Sequence, residues 1–500
     1  MIPSLSLEIT VLLVGLIMLL VESFSSSQDK RGLATGAIGV LCALIGFSFF
    51  VDPQSGNAFY IVDSTAHFFK VLALLTTVIV LIISLEFSPV LAKFIPSATP
   101  GAGLGEFYSI PVFICAGLMF MASAVDFLLI FVSLELVTIS FYILVAFMRR
   151  HPASLEAGVK YLILGALSTG FFVYGITWIF GLTGQTNLAL IKLAVETKPI
   201  DAIPLLFGIL LLLVGLGFKV AAVPFQLWAP DVYQGAPTPI TAFLSVGSKA
   251  AGFVVLLRVI QCFIHVPSVG EKVSAILVII AALTMVYGNL AALPQDNFKR
   301  LLAYSSIGHA GYLLVAVASL SPKNDQLGSI GIGSPGAAVQ FYLAGYLVMT
   351  LLSFLVLTVL AKHSRGDDIS HFNGLSKRSP FLAFSMLAAL LSLAGIPFTV
   401  GFIGKFLVFA SAVQAGHFTL VVIGVITVAA GFYYYLRVVA AMYWNEPGDT
   451  TPIQIAPLTR LAISALTLAV FFFGIFPRPI LRLLETSTPP VVSSAQPSGH

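Results

Sequence analysis

The amino-acid sequence predicts an all-α polytopic membrane protein. Its 500 residues are 58% hydrophobic and 9% charged, and the mean hydropathy is +1.02. Soluble domains carry about 25% charged residues, so this chain has too few charges to cover a surface that faces water. Apolar runs of about 20 residues, the length that crosses a bilayer as a helix, recur along the whole sequence. The connections between these runs are short, and no soluble domain fits among them.

By this length criterion the chain contains about fourteen transmembrane helices. The first three are predicted at 4–22, 33–51 and 64–86. The next five are predicted at 108–124, 127–147, 155–181, 203–225 and 238–264. Helices 9 to 14 are predicted at 272–293, 300–320, 337–361, 380–412, 417–443 and 458–476. Residues 486–500 are polar and rich in proline and serine, a composition typical of a disordered tail.

Lysines and arginines are unevenly distributed between the two sets of loops. Eleven lie in loops that follow helices 1, 3, 5, 9 and 11, and six lie on the opposite side. Cytoplasmic loops of membrane proteins carry an excess of these residues. The distribution therefore places the odd-numbered loops in the cytoplasm and both termini on the outer, periplasmic face.

The segment Gly217–Gly252 combines apolar character with groups that a membrane disfavours. It holds Lys219 and Lys249, with four prolines between them. Proline breaks a helix, and at membrane depth the freed backbone groups have to face protein or water. The string Ala394–Phe406 also joins a glycine, a Pro-Phe pair and a lysine. Two such strings, one in helix 7 and one in helix 12, are typical of an inverted repeat with discontinuous helices, as found in transporters.

Lysines inside predicted helices are functional candidates, because an ionisable side chain at the bilayer centre costs about 2.5–3.5 kcal/mol on insertion scales. Lys219, Lys249 and Lys405 each lie near a proline or glycine in a different helix. Burial favours the neutral amine and a nearby carboxylate favours the ammonium, so a lysine between these influences can take up and release a proton. The alternative is that each lysine belongs to an ordinary buried ion pair.

Three further residues are candidates with an open alternative each. Glu135 lies about two turns into helix 5 without a charged neighbour, so it is either half of a structural ion pair or a proton-binding site. Lys160 follows Glu156 by four residues, a spacing that favours a surface ion pair, and the alternative is a lysine that faces the interior. His309 lies among small and hydroxyl-bearing residues. It is either a proton shuttle or a hydrogen-bonded core histidine.

Missing motifs argue against several other kinds of chemistry. The three cysteines are far apart and lack the spacing of an iron–sulfur, haem or zinc site. The sequence has no Walker motif, no HExxH and no GxGxxG after a strand. The net charge of +4 is spread over loops, without the basic patch of a nucleic-acid-binding protein. We therefore expect no redox or hydrolytic chemistry in this chain and no nucleic acid partner.

Three strings of the sequence resemble a known family. PFQLWAPDVYQGAPTPITAFLSVGSKAAG, KRLLAYSSIGHAGYLL and LAGIPFTVGFIGKF occur in the order found in subunit N of respiratory complex I, the NADH-quinone oxidoreductase. The wider class comprises the antiporter-like, proton-translocating subunits. The sister subunits L and M have no string similar to DVYQGAPTP, so the resemblance is to subunit N.

The resemblance implies two inverted five-helix repeats, formed by helices 4–8 and 9–13, in which helices 7 and 12 are broken. It implies five segments: an N-terminal three-helix segment, two repeats, a C-terminal helix and a tail, at 1–107, 108–265, 266–445, 446–485 and 486–500.

The resemblance also implies a line of proton-translocating side chains through the middle of the membrane. The residues that match it are the Glu135–Lys219 pair as a switch, Lys160 on helix 6, Lys249 as central relay, His309 as connecting group and Lys405 as terminal site. One position departs from the family. Gln226 stands where many relatives carry histidine, and glutamine orders water but holds no extra proton at neutral pH.

By the same resemblance the chain is a translocase subunit in the bacterial inner membrane, without a cofactor of its own. FMN, iron–sulfur clusters and quinone are expected in partner subunits, and the expected neighbours are the antiporter-like subunit M and the small subunits K and J. Two alternatives remain: a stand-alone cation/proton antiporter subunit of the multi-subunit sodium type, and a purely structural membrane spacer. Within the class, a complex fed by ferredoxin or F420 is a further alternative.

Overall fold

A computed structural model describes residues 5–25, 29–50, 57–95, 104–322, 334–362, 366–447 and 451–485. Within these ranges the regular structure consists of helices, accompanied by isolated β-bridges such as the one between Tyr60 and Ala124. The predicted all-α fold is therefore confirmed. The predicted disordered tail at 486–500 lies outside the described residues.

Six helices form the first part of the chain: α1 (Ser6–Phe24), α2 (Arg31–Ser48), α3 (Ser64–Leu91), α4 (Leu104–Ser123), α5 (Phe127–Val145) and α6 (Pro152–Thr183). Aspartates begin two of them, because a carboxylate accepts a hydrogen bond from a free N–H of the first turn. Asp63 accepts from Ala66 at the start of α3, and Asp126 accepts from Leu128 at the start of α5.

The next helices contain the first broken span: α7 (Leu188–Thr197), α8 (Ala202–Val220), α9 (Trp228–Gly235), α10 (Thr238–Phe243), a π-helical turn (Leu244–Ser248) and α11 (Lys249–Gln261). Helix α8 ends at Val220 because Ala221 adopts a left-handed conformation with φ 59°. The predicted break in helix 7 is thus confirmed. Sequence reasoning missed α7, whose ten residues are too few to span a bilayer.

The second part of the chain comprises α12 (Pro267–Ala292), α13 (Phe298–Ala318), α14 (Pro335–Ala361), α15 (Leu375–Arg378), α16 (Pro380–Ala394), α17 (Val400–Gln414), α18 (Phe418–Trp444), α19 (Pro457–Ile475) and α20 (Arg478–Glu485). Helix α16 ends because Gly395 has a φ of 88°, which glycine adopts at little cost. Helix α17 begins five residues later, so predicted helix 12 is also broken.

Thirteen helical spans of the described residues are long and apolar enough to cross a membrane. The broken pair α16 and α17 adds one further crossing, which agrees with the predicted count of about fourteen. The span from α10 through α11 and helix α13 are almost completely enclosed by other helices. Helices α6, α12 and α18 instead expose large apolar side chains, as expected where a helix meets lipid. Lys249 and His309 therefore lie on enclosed helices.

Candidate functional site

The six predicted site residues occupy two kinds of position. Lys219, Lys249, His309 and Lys405 are buried, with at most 7% of each residue exposed. Glu135 is partly exposed on α5, and the Lys160 side chain is 42% exposed on α6. The interior position considered for Lys160 is therefore wrong.

Lys219 near the end of α8 donates a hydrogen bond to the hydroxyl of Thr138 on α5. The Thr138 hydroxyl donates in turn to the Leu134 carbonyl at 2.6 Å, so its oxygen is free to accept from the lysine. Glu135 lies one helical turn from Thr138, on the same side of α5, and accepts from Thr169 at 2.9 Å. Among the described residues Glu135 and Lys219 form no ion pair. The direct contact expected for this pair is replaced by contacts to two threonine hydroxyls.

Lys160 belongs to a charged cluster around the broken helix. Its ammonium lies 2.7 Å from Glu156, as the spacing of four residues predicts, and 2.7 Å from Asp231 on α9. Asp231 also pairs with Arg300 on α13 at 2.7 Å. Asp231, which the sequence reasoning did not single out, thus joins α6 and α13 to the short helix that follows the break.

Lys249 is the first residue after the π-helical turn and lies against α13. Its ammonium donates to both the carbonyl and the hydroxyl oxygen of Ser306, and lies 5.5 Å from the centre of the Tyr346 ring. The Ser306 hydroxyl is also 3.1 Å from the hydroxyl of Tyr233 on α9. Single π turns inside α-helices are frequent at functional sites, and this one precedes the central lysine directly.

His309 lies one turn beyond Ser306 on α13, between two tyrosines. Its Nδ1 is 2.7 Å from the Tyr342 hydroxyl, and its Nε2 is 3.2 Å from the Tyr435 hydroxyl. The Tyr435 hydroxyl also bonds the Ser305 hydroxyl. Both ring nitrogens therefore have a partner that can donate or accept a proton.

Lys405 on α17 is held by the broken end of α16. Its ammonium donates to the carbonyl oxygens of Leu393 and Ala394 at 2.9 and 2.8 Å, and lies 5.2 Å from the centre of the Tyr312 ring. The last carbonyls of a helix lack internal partners and carry partial negative charge, so they stabilise a cation without a carboxylate. A cavity of about 470 Å³ between α17 and α18 reaches Lys405.

Helix α13 brings the two later lysines into one arrangement. Ser306 contacts Lys249, His309 follows three residues later, and Tyr312 lies beneath Lys405 after three more. Residues three apart lie close together along one side of a helix. Hydroxyl and imidazole groups therefore line this side of α13 between the two lysines.

The series of hydrogen-bonded groups is interrupted near Gln226, which lies in the connection between α8 and α9. This side chain is buried, and its Oε1 has no hydrogen-bond partner among the described residues. In the same part of the structure no hydrogen bond or ion pair joins Lys219 to Lys249. Buried amide oxygens are rarely left without a partner, so the position is unusual for a purely structural glutamine.

Sequence reasoning missed the neutral groups that hold the charges. Thr138 and Ser306 are common buried residue types. The only sequence signal that could have found them is their spacing: Thr138 lies three residues from Glu135, and Ser306 lies three residues from His309. The carbonyls of Leu393 and Ala394 carry no sequence signal at all. Among the described residues, no group of three or more histidine, cysteine, aspartate or glutamate side chains could hold a metal ion.

Residues 124–431 match the family model described as NADH:quinone oxidoreductase/Mrp antiporter, TM. The chain is 38% identical over 480 residues to NADH-quinone oxidoreductase subunit N of Desulforamulus reducens, covering 95% of this chain and 96% of that protein. A chain of respiratory complex I from Thermus thermophilus superimposes with a TM-score of 0.79 at 31% identity, covering 96% of this chain and 100% of that one.

A chain of the Mrp complex from Dietzia superimposes with a TM-score of 0.77 at 18% identity, covering 96% of each chain. Similarity at that identity concerns the fold alone, whereas the similarity to subunit N extends over nearly the whole sequence. The chain belongs to the NADH-quinone oxidoreductase subunit N family.

Proposed function

We propose that this chain is a proton-translocating membrane subunit of an NADH-quinone oxidoreductase of the complex I type. The observation that carries the proposal is the enclosed helix α13, which presents Ser306, His309 and Tyr312 between Lys249 and Lys405. An exchangeable proton is available at nearly every step along this helix. Membership of the subunit N family supports the proposal, because the relatives are named as subunits of that oxidoreductase.

The switch of the relay is the pair Glu135 and Lys219. In the described conformation Lys219 is bonded to the neutral Thr138 hydroxyl, and a short movement along α5 would bring it to the Glu135 carboxylate. The carboxylate holds the ammonium form, and contact with the hydroxyl alone releases the lysine to pass its proton onward. Quinone reduction in other subunits drives this movement electrostatically.

The proton then passes Gln226 and continues from Lys249 through His309 to Lys405. Glutamine cannot hold the proton, so a water molecule ordered by the Gln226 amide carries it across the gap between Lys219 and Lys249. Lys160 balances the charge of Asp231 on the second half of the broken helix. Lys160 therefore influences the relay through its charge and does not itself carry the proton.

Protons reach the relay from a cavity of about 320 Å³ at the cytoplasmic ends of the helices. Thr238 at the start of α10, His151 and the ion pair of Lys299 with Asp367 at 3.1 Å line or adjoin it. Lys299 also donates to the carbonyl oxygens of Gln234 and Ala236, next to Tyr233. From Tyr233 the contact to Ser306 leads to Lys249.

The chain lies in the bacterial inner membrane, with both termini on the periplasmic face, as the loop charges favour. Its segments are 1–107, the repeats 108–265 and 266–445, and the C-terminal helix within 446–485. It assembles with other membrane subunits of complex I, including the antiporter-like subunit M and the small subunits K and J. Electron transfer through FMN, iron–sulfur clusters and quinone takes place in those partners, and this chain holds no redox cofactor.

The test is a measurement of protons moved per electron transferred by the assembled complex in proteoliposomes. Lys249→Met removes the central ammonium, and we expect a lower ratio with electron transfer retained. The matched control is Lys30→Met, which removes another buried lysine, paired with Glu22 at 2.9 Å and remote from the relay. A normal ratio in Lys249→Met, together with a normal ratio in Lys219→Ala and Glu135→Ala, would overturn the proposal.

A further inference from the structure

The N-terminal helices contain a buried ion pair that the relay does not use. The Lys70 ammonium on α3 lies 2.7 Å from Glu8 Oε1 on α1, and the two side chains are 1% and 0% exposed. Sequence reasoning did not single out either residue. They lie in the segment that precedes the residues matched by the family model.

Tyr60 completes a triangle with this pair. Its hydroxyl accepts a hydrogen bond from Lys70 at 2.6 Å and donates one to Glu8 Oε1 at 2.9 Å. The other carboxylate oxygen, Glu8 Oε2, is buried and has no hydrogen-bond partner among the described residues. The carboxylate is therefore only partly satisfied in its present form, and its Oε1 is the oxygen that faces the Tyr60 hydroxyl.

Packing does not explain this cluster. Replacing a buried ion pair by apolar residues of similar volume is often neutral or stabilising, because removing two charges from water costs several kcal/mol per ion. Two other ionic contacts already attach α3 to the rest of the molecule. Arg258 on α11 binds Asp63 through two hydrogen bonds, at 3.0 and 2.8 Å, and Glu86 near the other end of α3 accepts from Lys362 and Thr459.

A cavity of about 550 Å³ that is open to the protein surface is lined in part by Tyr60. It lies on the face that the loop charges assign to the outside. Tyr60 and Arg258 line its buried part, and the exposed residues Asn57, Ile61 and Ala189 line its opening. The triangle therefore borders, through Tyr60, a cavity that reaches that face.

The same cavity touches the helix that carries the central lysine of the relay. Arg258 follows Lys249 by nine residues, a distance of about 13 Å along the helix axis. The charged and titratable groups that face Lys70 are Glu8 on α1, Tyr60, and Asp63 and His67 at the start of α3, with Arg258 on α11. Both the triangle and the relay helix thus border one cavity on the outer face.

We propose that Glu8, Tyr60 and Lys70 form a proton-exchange site that connects the outer-face cavity with the Lys249 end of the relay. The inference rests on the proposed function, since it concerns the exchange of protons between the relay helix that carries Lys249 and the outer face. In the exchange, one proton binds the Tyr60 hydroxyl oxygen while the hydroxyl's own proton moves to Glu8, which becomes a neutral carboxylic acid. Lys70 stays an ammonium throughout, and the reverse transfer returns the proton to the cavity.

The chemistry of Tyr60 fits this step. Burial, and next the negative charge of Glu8, raise the pKa of the Tyr60 hydroxyl above its ordinary value. Formation of the Tyr60 anion is therefore disfavoured. In the proposed step the hydroxyl accepts one proton as it donates another, and its contacts to Lys70 and Glu8 show that its oxygen can accept while its O–H donates.

The test uses the assembled complex in proteoliposomes, with Tyr60→Phe and Glu8→Gln as separate variants. Tyr60→Phe removes one hydroxyl and leaves the ion pair intact, so we expect it to assemble. We expect both variants to transfer electrons. We expect their ratio of protons moved to electrons transferred to fall as far as it falls in Lys249→Met. Combining either with Lys249→Met should cause no further loss. The matched control, Glu86→Gln with Lys362→Met, neutralises the buried pair at the opposite end of α3 and should leave the ratio unchanged.

A second measurement does not depend on pumping. Infrared difference spectra of the unmutated complex, recorded after acidification of the outer side only, should show a carboxylic acid band. We expect this band to be absent in Glu8→Gln and to appear more slowly in Tyr60→Phe. A normal ratio in both assembled variants, or the absence of a Glu8-dependent band, would overturn this inference. If Lys249→Met also pumped normally, the proposed function itself would fail, and the two failures are thereby distinguished.

Discussion

Lys219, Lys249 and Lys405 are buried, and each donates its hydrogen bonds to neutral oxygen atoms rather than to a carboxylate. The acceptors are the Thr138 hydroxyl, both oxygens of Ser306 and two free carbonyls at the end of α16. A neutral acceptor stabilises an ammonium less than a carboxylate does. Lys70, which is paired with Glu8, is the contrasting case.

Thr138→Val tests the neutral acceptor of Lys219. A hydrogen bond to a charged group contributes about 1.5–3 kcal/mol, and the variant removes it while keeping the volume of the side chain. We expect a lower ratio of protons to electrons in proteoliposomes, with assembly retained. Thr358→Val is the control, because Thr358 is equally buried but bonds only the Phe354 carbonyl of its own helix. Equal ratios in the two variants would contradict a role for Thr138.

At the scale of helices, charged side chains lie at the two points where a membrane-spanning helix is interrupted. Helix α16 ends at Gly395, and the carbonyls freed there bind Lys405. Helix α8 ends just beyond Lys219, and the short helix α9 carries Asp231, which pairs with α6 and α13. At the end of α16 the freed carbonyls thus contact an ionisable side chain, whereas at the end of α8 the Phe218 carbonyl accepts from the Trp228 indole at 2.9 Å.

Gly395→Ala tests the second break. Gly395 has a φ of 88°, and an added Cβ would lie 2.9 Å from Lys405 Cδ, so the lysine would be displaced from its carbonyls. Gly416→Ala is the matched control, with a φ of 81° and no heavy atom within 4 Å of the added Cβ. A left-handed alanine costs about 1–2 kcal/mol at either position. We expect only Gly395→Ala to lower the ratio of protons to electrons, and a similar loss in Gly416→Ala would show that backbone strain alone is responsible.

The helices and their breaks could be predicted from the sequence, because apolar length and proline or glycine act locally. The contacts of the site could not. Glu135 and Lys219 suggested a direct ion pair, but the rotation of α5 directs Thr138 toward the lysine instead. The π-helical turn before Lys249 and the triangle of Glu8, Tyr60 and Lys70 depend on packing between distant segments, which no local pattern reports.

At the scale of the whole molecule, ionic contacts attach the N-terminal helices to the core at both faces. On the face that the loop charges assign to the outside, Asp63 binds Arg258, and Arg258 also donates to the Ala122 carbonyl at 3.0 Å. Near the opposite end of α3, Glu86 joins this helix to α14 and α19 through Lys362 and Thr459. Helix α3 is therefore attached to α11 near one end and to α14 and α19 near the other.

Asp63→Asn tests the outer contact. Asparagine can still accept the Ala66 N–H at the start of α3, so the variant removes mainly the charge that faces the buried Arg258. We expect a lower denaturation temperature in detergent, from a loss of about 1–3 kcal/mol for a buried charged group left poorly paired. Asp126→Asn is the control, since Asp126 begins α5 and bonds Thr186 without a cationic partner. An equal change in both variants would mean that the helix start, not the ion pair, matters.

The course of α13 has an electrical consequence. Six residues separate Ser306 from Tyr312, so a proton that follows this helix moves about 9 Å along its axis. The hydrocarbon core is about 30 Å thick, so this distance is about a third of the insulating layer. A full crossing against 100 mV requires about 2.3 kcal/mol per charge, of which about 0.8 kcal/mol then falls within the relay. In the proposed orientation and relay, a transfer from Lys249 to Lys405 would be outward, and the membrane voltage would oppose it directly, independently of the pH on either side.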